Sequence, residues 1–204
     1  MLKEESKQAV SQFFAAVDQE FNAFLKARSP QDYEAAAQLI LDAQAKGGRL
    51  HVTGIGQCSH VSTYAASLLS STGNPAYYLH GTEAVHGSCG QLVAGDVVIA
   101  ISNSGETGEL KATVLAVKNN GCKVIGVSGH GDSWLAKESD AFLFAGVKAE
   151  GGPLNRAPRA SVLAELLTLQ ALSVALQVEK DWDPIRYVRC HPGGKLGALR
   201  DNEK

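Results

Sequence analysis

From Val97 to Ile101 the chain reads Val97-Val98-Ile99-Ala100-Ile101, apolar at every position with no alternation of sides. Successive side chains of a strand point to opposite faces of its sheet, so a strand apolar throughout needs cover on both faces. This run therefore predicts the central strand of a parallel sheet held between helices. Directly after it comes Ser102-Asn103-Ser104-Gly105-Glu106-Thr107, a glycine- and hydroxyl-rich turn opening a helical pattern.

Four more short runs rich in β-branched or aromatic residues, at 50–53, 76–80, 123–128 and 141–145, read as strands. Helical patterns at about 59–72, 107–120 and 133–138 lie between them, with the spacing of right-handed βαβ crossovers. The expected fold is α/β, a three-layer sandwich around a five-stranded parallel sheet. Residues 1–47 carry apolar residues at helical spacing, Val10, Phe13, Phe14, Val17, Phe21 and Phe24, then Tyr33, Ala36, Leu39 and Ile40. They read as two N-terminal helices broken at Ser29-Pro30, with Ser29 an N-cap and Pro30 in the first turn. One long helix is expected over 159–178, followed by the glycine-rich segment His191-Pro192-Gly193-Gly194-Lys195-Leu196-Gly197. No Pro/Ser-rich linker or shift of composition divides the chain, so 1–204 is expected to be a single domain.

With 45% hydrophobic and 20% charged residues, the chain has the material for a large core. A net charge of −2, with both signs interspersed, supplies no footprint for nucleic acid. Its apolar stretches fall short of the roughly 20 residues that span a bilayer. The start, Met1-Leu2-Lys3-Glu4-Glu5, is charged where a secretory signal turns apolar. No membrane partner and a cytoplasmic location are expected. Cys58, Cys89, Cys122 and Cys190 have neither zinc-site nor disulfide-framework spacing and are expected as reduced thiols; no metal site is indicated.

In open α/β sheets ligands collect at the carboxyl ends of the strands, where helix N-termini present backbone N–H groups. Two turns suit that place. In Thr53-Gly54-Ile55-Gly56-Gln57-Cys58-Ser59-His60, Gly54 and Gly56 let the backbone approach a ligand, and Ser59 is expected to cap the next helix. Ser59 also stands where a dinucleotide fingerprint has its third glycine, and the Gly-Lys-Ser/Thr of a P-loop is absent, which counts against both ligand classes. A tight turn without a ligand remains the alternative. The second turn places Ser102, Ser104 and Thr107 hydroxyls, Asn103 and Gly105 at a helix start, a set suited to an anion such as phosphate; the alternative is a helix cap alone. Glu106 has two readings: a first-turn acid complementing the helix dipole, or an acid/base group whose pKa a bound phosphate raises.

The stretch Val98-Ile99-Ala100-Ile101-Ser102-Asn103-Ser104-Gly105-Glu106 resembles the signature of sugar isomerase (SIS) domains, whose flavodoxin-like fold agrees with the strand pattern. His80-Gly81-Thr82-Glu83-Ala84-Val85-His86-Gly87, Pro153-Leu154-Asn155-Arg156-Ala157-Pro158 and His191 to Gly197 resemble the arabinose 5-phosphate isomerase branch. The resemblance covers about residues 48–198, a phosphosugar-binding core behind the helical segment 1–47. That branch commonly adds a pair of CBS domains, so the chain resembles a short form without them.

The resemblance implies an aldose–ketose isomerisation of D-arabinose 5-phosphate and D-ribulose 5-phosphate through an enediol, without a cofactor. It implies acid/base roles for Glu106, Glu150, His86 and His191. The sugar phosphate would be bound by Gly54, Gly56, Gln57, Cys58, Ser59, Ser102, Asn103, Ser104 and Thr107. It also implies a homotetramer with sites completed across subunits. Where the family shows Gly-x-Gly-Lys-Ser-Gly-His, this chain has Gln57 for the lysine and Cys58 for the serine. An amide and a thiol bond an anion more weakly than an ammonium and a hydroxyl. Two readings of Arg156 and Arg159 stand: replacements for the missing charge, or exposed arginines at a helix start. A phosphosugar-binding protein without turnover is the alternative function.

Overall fold

The computed structural model describes residues 1–204. Its strands, β1 (Leu50–Gly54), β2 (Ala76–Tyr78), β3 (Val97–Ile101), β4 (Lys123–Ser128) and β5 (Ala141–Phe144), form one parallel sheet in the order β2-β1-β3-β4-β5. β3 is central and buried at every position, as its composition requires. Its side chains divide between two cores. Val97, Ile99 and Ile101 join residues of α2 (Glu34–Ala45), α3 (Gln57–Ser71) and α6 (Ala160–Glu179), whereas Val98 and Ala100 face α4 (Gly108–Asn119) and α5 (Trp134–Glu138).

The register pairs Gly54 with Ile101 and Ile101 with Val127, so β1, β3 and β4 end level with one another. Their following turns are neighbours. From β1 the chain crosses to β2 on one side, and β3 then lies on the other, which makes the β1/β3 boundary the topological switch point where open sheets bind ligands.

α1 (Glu4–Lys26) and α2 are the two expected N-terminal helices, and the break holds Ser29, whose amide donates to the Asp32 carboxylate at 3.0 Å. The helix after β1 begins at Gln57 rather than 59. Gly56, at φ +62°, is its N-cap, a conformation that glycine reaches without Cβ strain. Ser59 therefore does not cap: it lies inside the first turn, its amide bonded to the Gly56 carbonyl at 3.0 Å. α7 (Pro184–Cys190) was not expected, because seven residues are too few to establish a helical period. Its Asp183 cap, accepting from the Arg186 amide at 2.7 Å, and Pro184 at its first position are nevertheless ordinary start signals.

α6 corrects a second expectation. Its 20 residues, with a mean hydropathy of 1.6 in the most apolar window, are long and apolar enough to cross a membrane. In this fold α6 packs against α1, α2 and α3, and its buried residues include Ser161, Glu165, Thr168 and Ser173. A helix covered on most sides is apolar around most of its circumference whether its surroundings are protein or lipid.

At the opposite edge of the sheet the fully buried Asp96 ties β3 to β1. Its carboxylate accepts from the Arg49 amide at 2.8 Å, Arg49 Nη2 at 2.9 Å, the Val93 amide at 3.0 Å and His51 Nε2 at 3.1 Å. Burial alone would raise its pKa, but the bonds from Val93, Arg49 and His51 outweigh it and hold the group below 3.8. A depressed carboxylate pKa contributes stability that is present above the unfolded value and lost as the pH falls through the folded one. Asp96→Asn is expected to cost about 1–3 kcal/mol at neutral pH, the worth of a charged hydrogen-bonding partner. In urea unfolding the difference from wild type should narrow on acidification below 3.8; a difference constant with pH would refute this role.

Candidate active site

The turn after β3 is shaped by Gly105 at φ +66°, whose amide donates to the Ser102 carbonyl at 3.0 Å and to Ser102 Oγ at 3.1 Å. Ser102 Oγ and Thr107 Oγ1 are 3.2 Å apart, and the Glu106 amide donates to Ser104 Oγ at 3.2 Å. The amides of Ser104, Thr107, Gly108, Glu109 and Leu110 find no acceptor within the chain; the first helical bond of α4 runs from Lys111 to Thr107 at 3.0 Å. A helix N-terminus with unpaired amides and nearby hydroxyls is an anion site in waiting.

The β4 side braces the turn. Asn103 O accepts from Ser128 Oγ at 3.1 Å and the Gly129 amide at 2.9 Å, while Gly105 O accepts from the Leu135 amide at 3.1 Å. Anchoring both halves of the turn to a neighbouring strand and helix fixes its donors before any ligand arrives, which lowers the reorganisation cost of binding.

Glu106 is exposed, and its carboxylate is engaged at both oxygens: Oε1 accepts from the Trp134 amide at 2.7 Å, and Oε2 pairs with Lys111 Nζ. The Lys111 ammonium, followed by the Trp134 N–H, holds its pKa below the ordinary value of 4.5. The group is thus a firmly ionised carboxylate, opposite in direction to the shift a phosphate would induce. Lys111, the partner of Glu106, was missed in the sequence reading though the signal was there: it stands four residues after Thr107, one turn into the helix.

The segment after β2 reaches the same edge. Thr113 Oγ1 of α4 donates to the Gly81 carbonyl, and the 3-10 turn Glu83–His86 packs against α4 with His86 exposed. Ile55, in the β1 turn, packs on the cluster containing Leu79, Ala84 and Leu110. The segments bearing Gly54, His86 and Glu106 therefore converge.

Glu150 stands at the N-terminus of α6, its Oε2 accepting from the Arg159 amide at 2.7 Å and the Ser161 amide at 3.1 Å. Across from it, α3 and α6 bring together a half-buried thiol and a buried acid. Cys58 Sγ donates to Glu165 Oε1 at 3.4 Å, and the Asn103 backbone N–H faces the sulfur. Burial, with the Glu165 charge second, pushes the thiol up to about 12, so Cys58 stays protonated. Glu165 is itself raised to about 7 by burial, against the Cys58 bond that lowers it and with the Glu150 charge that raises it. The sequence reading missed Glu165, although it is the one acid inside the helical run 160–178.

His191 ends α7 with its Nδ1 2.8 Å from the Tyr187 carbonyl and its ring stacked on Tyr187 at 4.1 Å. Within one chain no hydrogen bond or ion pair joins His86 or His191 to Glu106. Arg156 and Arg159 are both exposed, and the Arg159 guanidinium stays in its own loop, 3.5 Å from the Ala157 carbonyl. All four cysteines are free.

Known proteins resemble this chain over most of its length. Over 173 residues the chain is 38% identical to arabinose 5-phosphate isomerase KdsD of Pseudomonas aeruginosa, covering 85% of this chain and 52% of that protein. Over 165 residues it is 35% identical to arabinose 5-phosphate isomerase KpsF of Escherichia coli, covering 81% and 51% respectively. The chain thus spans about half the length of the curated relatives it matches. Among solved structures, that of c3406 from E. coli CFT073 in complex with arabinose 5-phosphate superposes with a TM-score of 0.82 at 31% identity, covering 94% of this chain and 100% of that one. The SIS domain family model matches residues 43–175, the stretch that holds all five strands and the turn from Ser102 to Thr107, and the chain belongs to that family.

Proposed function

We propose that this protein is a sugar-phosphate isomerase that interconverts D-arabinose 5-phosphate and D-ribulose 5-phosphate through an enediol. The observation that carries this reading is the set of unpaired amides from Thr107 to Leu110 beside the ionised Glu106: phosphate donors and a base within one turn. The names of the KdsD and KpsF relatives and the arabinose 5-phosphate complex of c3406 support the substrate pair.

In this reading the amides and the hydroxyls of Ser102, Ser104 and Thr107 hold the phosphate, with Asn103 completing the turn. The sugar chain extends toward Gly54, Gly56, Gln57, Cys58 and Ser59. Glu106 removes the C2 proton of the aldose, leaving a 1,2-enediolate with its charge on O1; protonation of O1 gives the enediol, and loss of the O2 proton with return of a proton to C1 gives the ketose. Glu150, His86 and His191 serve these transfers. The hydrogen travels as a proton and the two isomers have the same overall oxidation state, so the reaction needs no external oxidant or reductant.

His191 reaches the site from a neighbouring subunit in this reading, within a homotetramer in the cytoplasm. The accessible surface of the isolated chain, 11156 Å², exceeds the roughly 9,000 Å² expected for a monomer of its mass. Phe14 and Val10 on α1 and Val174 and Val178 on α6 are apolar and exposed. A subunit interface would cover such residues. Light scattering should give four times the monomer mass, and a monomer at micromolar concentration would refute the shared site.

A second reading, binding without turnover, is favoured by one observation: Lys111 is committed to Glu106 while Gln57 brings no charge. Carbon NMR of labelled D-arabinose 5-phosphate with the purified protein decides between them. The ketose resonances are expected to grow to equilibrium. Binding without their growth, for this and other sugar phosphates, would select the second reading.

A further inference from the structure

Glu165 has no place in the proton transfers above, yet it is 1% exposed and joined to the phosphate turn by a continuous chain of contacts. Its Oε1 meets the Cys58 thiol at 3.4 Å, and the backbone N–H of Asn103 faces that sulfur. Its Oε2 is buried without any partner. A polar atom so placed is costly, and the cost is greatest when the group is charged. The neighbouring buried hydroxyls of α6, Ser161 Oγ and Thr168 Oγ1, likewise lack partners. An apolar side chain would pack there at less cost, so the retained acid points to a use.

We infer that Glu165 is a positioning residue of the sugar-phosphate site, acting through the Cys58 thiol on the Asn103 amide and, by its charge, on the anion held at the turn. This deepens the proposed function and rests on phosphate binding at Ser102 to Thr107. The titratable groups that bear on Glu165 are Cys58 from α3 and Glu150 from the segment before α6; no charged group of α1 or α2, which also pack on α6, bears on it.

Coupling follows from like charge. A bound phosphate disfavours the ionised form of Glu165, and the ionised form disfavours phosphate by the same factor. With Glu165 raised to about 7, that coupling falls in the neutral range. Phosphate affinity should therefore weaken as the pH rises past neutrality. Glu165→Gln, which mimics the uncharged acid, should abolish that decline.

The test uses inorganic phosphate and carbon-labelled wild-type protein, following by NMR both the Asn103 amide and the Glu165 side-chain carboxyl carbon through a pH titration. Phosphate is expected to shift the Asn103 amide and raise the Glu165 midpoint by roughly half a pH unit or more, a threefold or larger coupling. An Asn103 shift with an unmoved Glu165 midpoint overturns the inference alone. No shift at Asn103 overturns the phosphate site and the inference with it. In parallel, the phosphate dissociation constant of wild type relative to Glu165→Gln should rise about threefold or more between pH 6 and 8. Parallel curves would mean a purely structural Glu165.

Discussion

Glu106→Gln is expected to lower the rate of isomerisation by roughly 10²- to 10⁴-fold, the usual contribution of a positioned acid/base group, while phosphate still binds. Glutamine keeps an acceptor for the Trp134 amide, which Glu106 Oε1 now takes at 2.7 Å, so the turn should hold its shape. It loses the charge that pairs with Lys111. An ammonium released beside the unpaired amides of Gly108 to Leu110 leaves phosphate binding unchanged or tighter, because one anion has been removed from the site. The result to look for is this split, with kcat collapsing and phosphate affinity maintained. An unchanged kcat would remove Glu106 from the chemistry, and a lost affinity would reassign it to the architecture of the turn.

Gly105→Ala should disable the turn itself. At φ +66° the backbone conformation costs an alanine about 1 kcal/mol or more. Its Cβ would also overlap Ser133 Oγ and lie 2.5 Å from Ser133 Cβ. Ser133 cannot easily yield: its hydroxyl donates to the His130 carbonyl at 2.7 Å and accepts from the Ala136 amide at 3.3 Å, capping α5. Overpacking against a fixed neighbour adds roughly 1–3 kcal/mol. Thermal unfolding should show a total loss of about 2–4 kcal/mol. Phosphate binding should fall at temperatures where the variant is still folded. A stable variant with normal affinity would show that the Ser102–Thr107 turn is more pliable than its bracing from Ser128, Gly129 and Leu135 indicates.

The architecture was legible because its signals are local. Non-alternating apolarity marked β3 as central, and the Ser-Asn-Ser-Gly-Glu-Thr run marked the turn that opens α4, since hydroxyls, glycine and a helix start are read within six residues. The family motifs supplied the remaining candidates, Glu150, His86 and His191, as positions rather than as geometry. Boundaries were less legible. Helix α3 starts two residues earlier than expected, because the Gly56 backbone conformation, and not the Ser59 hydroxyl, sets the cap.

By itself the sequence determined the layered α/β fold, its central strand and the glycine-shaped turn that follows it, all set by side-chain period and backbone freedom over a few residues. Only the tertiary structure decided what state the acids are in. Lys111 and the Trp134 amide keep Glu106 ionised, and Glu150 caps α6. Glu165, 107 residues from Cys58 in sequence, becomes a buried acid raised to about 7 once α6 closes over α3. Ionisation depends on solvent exclusion and on charges brought close by chain reversal, and neither is defined until the helices have packed.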